Sequence, residues 1–135
     1  MKLRIQGDSL RLRLTQKEVA ELRAGGCVQS SFHFASGRSL TYSISSSVEA
    51  PQMEADFDGD SIRITLPRAA MAAWADGDQT GISGPPDQPS LLLIEKDFQC
   101  LHRSGEQDPE AYPNPLAKTL RAATKGSGLQ RSNRG

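Results

Sequence analysis

Two stretches near the N-terminus alternate apolar and polar residues with period two. Leu3 and Ile5 alternate with Lys2, Arg4 and Gln6, and Leu10, Leu12 and Leu14 alternate with Arg11 and Arg13. Such alternation predicts two strands, each with one buried face. Gly7-Asp8-Ser9 between them supplies a hairpin turn, because Gly and Asp tolerate dihedrals that other residues avoid. The period then changes. Thr15-Gln16-Lys17-Glu18 has the form of a capping box, Val19 and Leu22 fall on one helical face, and Gly25-Gly26 ends the helix. Strands return at residues 28–34 and 40–44, with Gly37 in the turn between them.

The same order recurs one half-chain later. Residues 1–29 superimpose on 53–81 at a shift of 52 without a gap, with 8 identities in 29 positions, among them Gly7/Gly59, Asp8/Asp60, Ser9/Ser61, Arg11/Arg63, Leu14/Leu66 and Gly25/Gly77. Average residue usage gives about two by chance. Five further pairs keep apolar character, including Leu12/Ile64 and Leu22/Trp74. This is the signature of an internal repeat. In the second copy Ala55 and Phe57, then Ile62, Ile64 and Leu66, form the apolar face around an Asp58-Gly59-Asp60-Ser61 turn. Pro67 opens the helix, Met71 and Trp74 face inward and Gly77 ends it. A weak strand at 80–83 precedes a rigid loop from Gly84 to Pro89, and residues 90–99 read as the longest, most apolar and central strand.

The expected fold is therefore α+β: two pseudo-symmetric ββαββ repeats, residues 1–48 and 53–102, sharing a curled or barrel-like antiparallel sheet with two short helices. Residues 103–135 read as a polar, Pro-containing and basic tail, largely disordered, with a short basic helix at 116–124.

Charge sharpens the division. The 135 residues carry 16 basic and 16 acidic side chains, yet all five charges in 116–135 are basic, which leaves the body acidic. An acidic body argues against nucleic-acid binding except through the tail. No apolar run is long enough to span a bilayer or to act as a secretory signal, and two cysteines do not make a disulfide framework. The chain reads as a soluble cytoplasmic protein with reduced thiols.

Three stretches resemble a group of small bacterial proteins known only as a domain of unknown function. They are Lys2-Leu3-Arg4-Ile5 with Ser9-Leu10-Arg11-Leu12-Arg13-Leu14-Thr15, then Leu40-Thr41-Tyr42, then Glu95-Lys96-Asp97-Phe98-Gln99-Cys100-Leu101 running on to Tyr112-Pro113-Asn114-Pro115. The resemblance spans residues 1–115 and leaves the basic tail out. It implies no activity, but it marks Glu95–Leu101 as a place to look.

The chemistry-bearing residues form few constellations. Lys2, Arg4, Arg11 and Arg13 share one face of the first hairpin, where they suit a phosphate or an acidic partner. The second hairpin inverts the sign, with Glu54, Asp56 and Asp58 opposite Arg63 and Thr65; a charge-complementary seam between copies or subunits is one reading. A calcium loop is the other, but Ser61 stands where glycine is required and Pro67 where the closing glutamate belongs. Cys27, His33, Cys100 and His102 are zinc-ligand types at spacings that match no finger. No nucleophile elbow, phosphate loop or zincin motif occurs. The Glu-x-Glu-x-Lys signature of the triphosphate-tunnel enzymes is absent too, although eight antiparallel strands would suit such a tunnel.

Glu95, Lys96 and Asp97 at the end of the central strand complete the candidate ligand-binding set. No metal, cofactor or catalytic residue is assigned. The favoured function is a non-catalytic binding or accessory module that engages a partner through a polar strand face, with a homodimer left open. The alternative is a small enzyme or binder acting on a phosphorylated or anionic metabolite. In that case the four cations bind and Glu95 or Asp97 is the base. Shape discriminates between them: a closed cavity favours the enzyme and a flat, open face the module.

Overall fold

The computed structural model describes residues 1–98, 110, 112 and 113. The expectations for residues 99–109, 111 and 114–135, including Cys100, His102 and the basic tail helix, lie outside the described residues. Residues Met1–Gln99 form one unit; of a second, Cys100–Gly135, Glu110, Tyr112 and Pro113 are described, all exposed.

Strands β1 (Lys2–Gln6) and β2 (Ser9–Leu14) pair as the expected hairpin, with Gln6 facing Ser9. Gly7 has φ +55, the positive value needed at the first central position of this two-residue turn. Strands β5 (Glu54–Asp58) and β6 (Ser61–Pro67) form a second hairpin closed by Gly59 at φ +59. After β2, helix α1 (Gln16–Arg23) starts with the full capping box: Thr15 Oγ1 accepts from the Glu18 amide at 3.3 Å, and Glu18 Oε1 accepts from the Thr15 amide at 2.9 Å. Helix α2 (Arg68–Asp76) follows β6 directly. Pro67 is the last residue of the strand and precedes the helix rather than opening it, so this end lacks a side-chain cap and the alanine-rich segment carries the helix on propensity.

The remaining strands are β3 (Val28–His33), β4 (Ser39–Ser47), β7 (Gly81–Ser83) and β8 (Leu91–Lys96). They do not join one antiparallel sheet. Two four-stranded sheets form instead, sheet A in the order β1-β2-β8-β7 and sheet B in the order β3-β4-β6-β5, and neither closes into a barrel. Each is mixed. Hairpins form its flanks, and its centre is a parallel pair, β2 with β8 and β4 with β6. Alternation dictates which face of a strand is buried but not the direction of its neighbour. Residues 48–60 between β4 and β6 give the crossover length that a parallel pairing needs. The longest strand is β4, with nine residues; β8 is central to sheet A but ends at Lys96, where Asp97 leaves the strand.

Both sheets and both helices feed a single core of Leu12, Leu14, Val19, Leu22, Val28, Ile44, Met53, Ile64, Leu66, Met71, Trp74, Leu92 and Ile94. With few aromatics in the chain, Trp74 is the largest enclosed side chain; its Nε1 donates to the Thr80 carbonyl at 3.3 Å. Truncation of Trp74 to alanine leaves a cavity under both sheets. Chemical denaturation of Trp74→Ala should show a loss of about 3–5 kcal/mol.

The second carboxylate oxygen of Glu18 accepts from the Met1 α-ammonium at 2.6 Å. Burial alone would raise the Glu18 pKa, but the α-ammonium and the Thr15 amide and hydroxyl outweigh it and hold the group below its ordinary 4.5. A depressed folded-state pKa means that the stabilisation is present above the ordinary value and is lost as pH falls through the folded one. Glu18→Gln should cost about 1–3 kcal/mol at pH 7. Urea titrations across pH should show the two proteins converging as the pH falls below the carboxylate range.

Candidate functional site

The hairpin register sets the polar face of sheet A. Lys2 lies opposite Arg13 and Arg4 opposite Arg11, so two pairs of like charges face each other across β1 and β2. Directly opposed like charges destabilise a strand pair unless counter-charges intervene. The parallel neighbour β8 brings them, since its register sets Arg13 beside Glu95. Glu95 Oε1 lies 3.1 Å from Arg11 Nε and 3.8 Å from Arg13 Nε. That oxygen is shielded from solvent yet has no well-aligned hydrogen bond, so its hold on the two guanidinium groups is chiefly Coulombic. Lys2 Nζ and Asp97 Oδ2 form an ion pair at 3.1 Å. On the far side of β8, Gly81 pairs with Glu95, and a Cβ there would come within 3.2 Å of Glu95 Cγ, so the glycine leaves room for the carboxylate stem.

Six of the seven candidate residues are thus on one face: Lys2, Arg4, Arg11, Arg13, Glu95 and Asp97. Four cations meet two carboxylates there. Arg4 is exposed, and its polar contact among the described residues is a long 3.5 Å approach to Gln6. Lys96 does not join them. It alternates to the other side of β8, donates to the Gly77 carbonyl at 2.8 Å and sits 5.8 Å from the centre of the Trp74 ring. Its ammonium holds the C-terminal end of α2 rather than the polar face.

Two concave regions are found among the described residues, one of which shares Asp97 with the polar face. A cleft of about 980 Å³ runs beside α1 and the end of α2; Lys96, Asp97 and Phe98 line it, and the Arg23–Asp76 ion pair (3.1 Å) is on its wall. A smaller pocket of about 300 Å³ at one end of sheet B has Phe34, Leu40 and Phe57 as its apolar walls and the Arg38–Asp60 ion pair, at 2.5 Å, as its polar side. Neither is lined by Lys2, Arg4, Arg11, Arg13 or Glu95. The pocket escaped the sequence reading. Its signal was present: Phe34 and Phe57, two of only four phenylalanines, flank predicted turns, and both are exposed. Phe32 and Phe34 pack edge to face, their ring centres 4.9 Å apart.

The weaker ligand sets are dispersed. Among the described residues no group of three or more His, Cys, Asp or Glu is placed to hold a metal ion. His33 Nδ1 is hydrogen-bonded to Ser39 Oγ at 2.8 Å, and Cys27 is an exposed free thiol. Asp56 and Asp58 are on strand β5, and Asp60 in the turn is taken by Arg38. Among the described residues, no helix is long and apolar enough to cross a membrane.

Removal of the shared Glu95 carboxylate leaves the opposed cations of β1 and β2 with Asp97 as their remaining counter-charge. Its arginine partners are partly exposed, which limits the effect to about 1 kcal/mol at low ionic strength. The Glu95→Ala deficit in urea denaturation should shrink as salt screens the repulsion.

No curated protein and no solved structure matches the chain. A family model does, over residues 1–116, from the first strand through the Tyr112-Pro113-Asn114-Pro115 segment. That match takes in the polar face and both sheets, and it makes the chain a member of the family of unknown function DUF7009.

Proposed function

We propose that the protein is a non-catalytic binding module whose partner presents an acidic segment to the outer face of sheet A. The observation that carries this reading is the excess of four cations over two carboxylates on an open strand face, with Arg4 almost unengaged. Guanidinium groups in a flat row suit carboxylates on an extended or helical partner. The enzymatic alternative draws on the same cations. Its acid–base candidates are already committed, however, Glu95 to Arg11 and Arg13 and Asp97 to Lys2. A general base also needs a pocket that brings it and the binding groups to one substrate, and the cleft that Asp97 borders is lined by none of the four cations.

The duplication belongs to the same reading. We infer two ββαββ copies that exchange hairpins, so that each sheet joins the first hairpin of one copy to the second hairpin of the other. The matching registers support it: Leu10 pairs with Leu92 and Leu12 with Ile94 in sheet A, and Ile62 pairs with Tyr42 and Ile64 with Ile44 in sheet B. So do the entry hydrogen bonds, from the Leu91 amide to the Asp8 carbonyl at 2.8 Å and from the Thr41 amide to the Asp60 carbonyl at 2.9 Å. The exposed Cys27 thiol accords with a reducing, cytoplasmic setting.

Titration of isotope-labelled protein with a hexaglutamate peptide at low salt tests the docking face. Backbone amide shifts should concentrate in β1, β2 and β8. The Arg11→Ala/Arg13→Ala variant should bind at least about tenfold more weakly, equivalent to about 1.4 kcal/mol. Arg38→Ala should be neutral. Unchanged affinity in the Arg11/Arg13 variant would overturn the reading.

A further inference from the structure

Strands β1 and β5 are both sheet edges, β1 of sheet A and β5 of sheet B. Each has five residues and a partner on one side, β2 or β6. Among the described residues their outward backbone groups have no partner strand, which is the template for strand addition. Each edge also carries an apolar residue left in solvent: Ile5 is 58% exposed and Phe57 67%. On the opposite side of the two strands the charges are reversed, Lys2 and Arg4 on β1 and Glu54, Asp56 and Asp58 on β5.

We propose that β1 of one molecule adds to β5 of a second molecule, so that the partner of this edge is another copy of the chain. The proposal rests on the reading of Lys2 and Arg4 as partner-binding groups and narrows that partner. An antiparallel alignment of the two strands sets Lys2 against Asp58 and Arg4 against Asp56 on one face. It sets Leu3 against Phe57 and Ile5 against Ala55 on the other. Opposite charges and apolar pairs directly across a ladder both stabilise it. The same charges forbid the homotypic alternatives. Centred β1 on β1 sets Arg4 against Arg4, and centred β5 on β5 sets Asp56 against Asp56. Charge guards each edge against its own kind and leaves it open to the other. The zero net charge of the chain lifts the long-range repulsion that keeps charged proteins apart. Because every copy has one edge of each kind, two copies can engage reciprocally, β1 with β5 and β5 with β1, and so close a dimer.

Sedimentation velocity of the full chain, over about a hundredfold concentration range at low salt, reads the association directly. The mass should rise above the 14.6 kDa of one chain as concentration increases. Association should weaken about tenfold or more between 0.05 and 0.5 M NaCl, as screening demands. Lys2→Glu/Arg4→Glu and Asp56→Lys/Asp58→Lys should each remain monomeric, and an equimolar mixture of the two should associate again, because the mixture restores both complementary edges. Circular dichroism checks that each variant is folded, and Asp56→Asn/Asp58→Asn, which removes charge without reversing it, gives a milder version of the same loss. A wild-type monomer at every concentration in low salt would overturn the proposal. So would variants that associate like wild type, or a mixture that stays monomeric. Arg11→Ala/Arg13→Ala separates the two readings: those residues are one strand in from the edge, so this variant should keep the dimer while losing the acidic peptide.

Discussion

The two parallel ladders at the sheet centres, β2 with β8 and β4 with β6, are what the rest of the structure depends on. A two-stranded hairpin is marginal in water by itself. Here each of the β1–β2 and β5–β6 hairpins acquires its third and fourth strands only through that parallel pairing, β1–β2 from a segment remote in sequence and β5–β6 from the preceding hairpin. The apolar faces so assembled place Leu12 beside Ile94 and Ile64 beside Ile44, and all four are buried to within 1%. The helices then cover this layer with Leu22, Met71 and Trp74. Without the parallel pairs, the helices would have no continuous surface to cover.

The same ladders create the polar face. A hairpin that opposes Lys2 to Arg13 and Arg4 to Arg11 is unfavourable in isolation. Arrival of β8 brings Glu95 and Asp97, and with them enough negative charge to hold the cations side by side while leaving an excess. Fold and candidate site are therefore one construction: the strand that completes the core on one side completes the electrostatics on the other.

Much of this was legible locally. The Gly-Asp turns, the Thr15–Glu18 capping box, the inward Val19, Leu22, Met71 and Trp74, and the alternating strand faces all follow from interactions between residues a few positions apart. Strand partnership was not legible, because the hairpins are chemically similar and alternation does not distinguish a parallel neighbour from an antiparallel one. The expected single barrel-like sheet came from that ambiguity. Among the site residues, the β1–β2 cations could be grouped because they sit in one hairpin; Glu95 and Asp97 joined them only through tertiary pairing. Strand alternation already set Lys96 against its neighbours, and grouping by proximity in sequence obscured it. The pocket at Phe34, Leu40 and Phe57 gathers residues from two hairpins, a proximity that single-strand periodicity does not encode.

The strand order also sets a schedule for folding. Sheet B is made from one continuous stretch, residues 28–67, in which Tyr42 meets Ile62. Sheet A requires Leu10 to meet Leu92, so its first hairpin has no central partner until the last strand has been synthesised. Loop closure over that span is the slower event. Chain order therefore allows sheet B to assemble before sheet A, and until β8 is made the leucines of the arginine-rich N-terminal hairpin lack their cover. Cations alternating with those leucines are the kind of charge that opposes aggregation of an unpaired strand, a need that ends when β8 arrives.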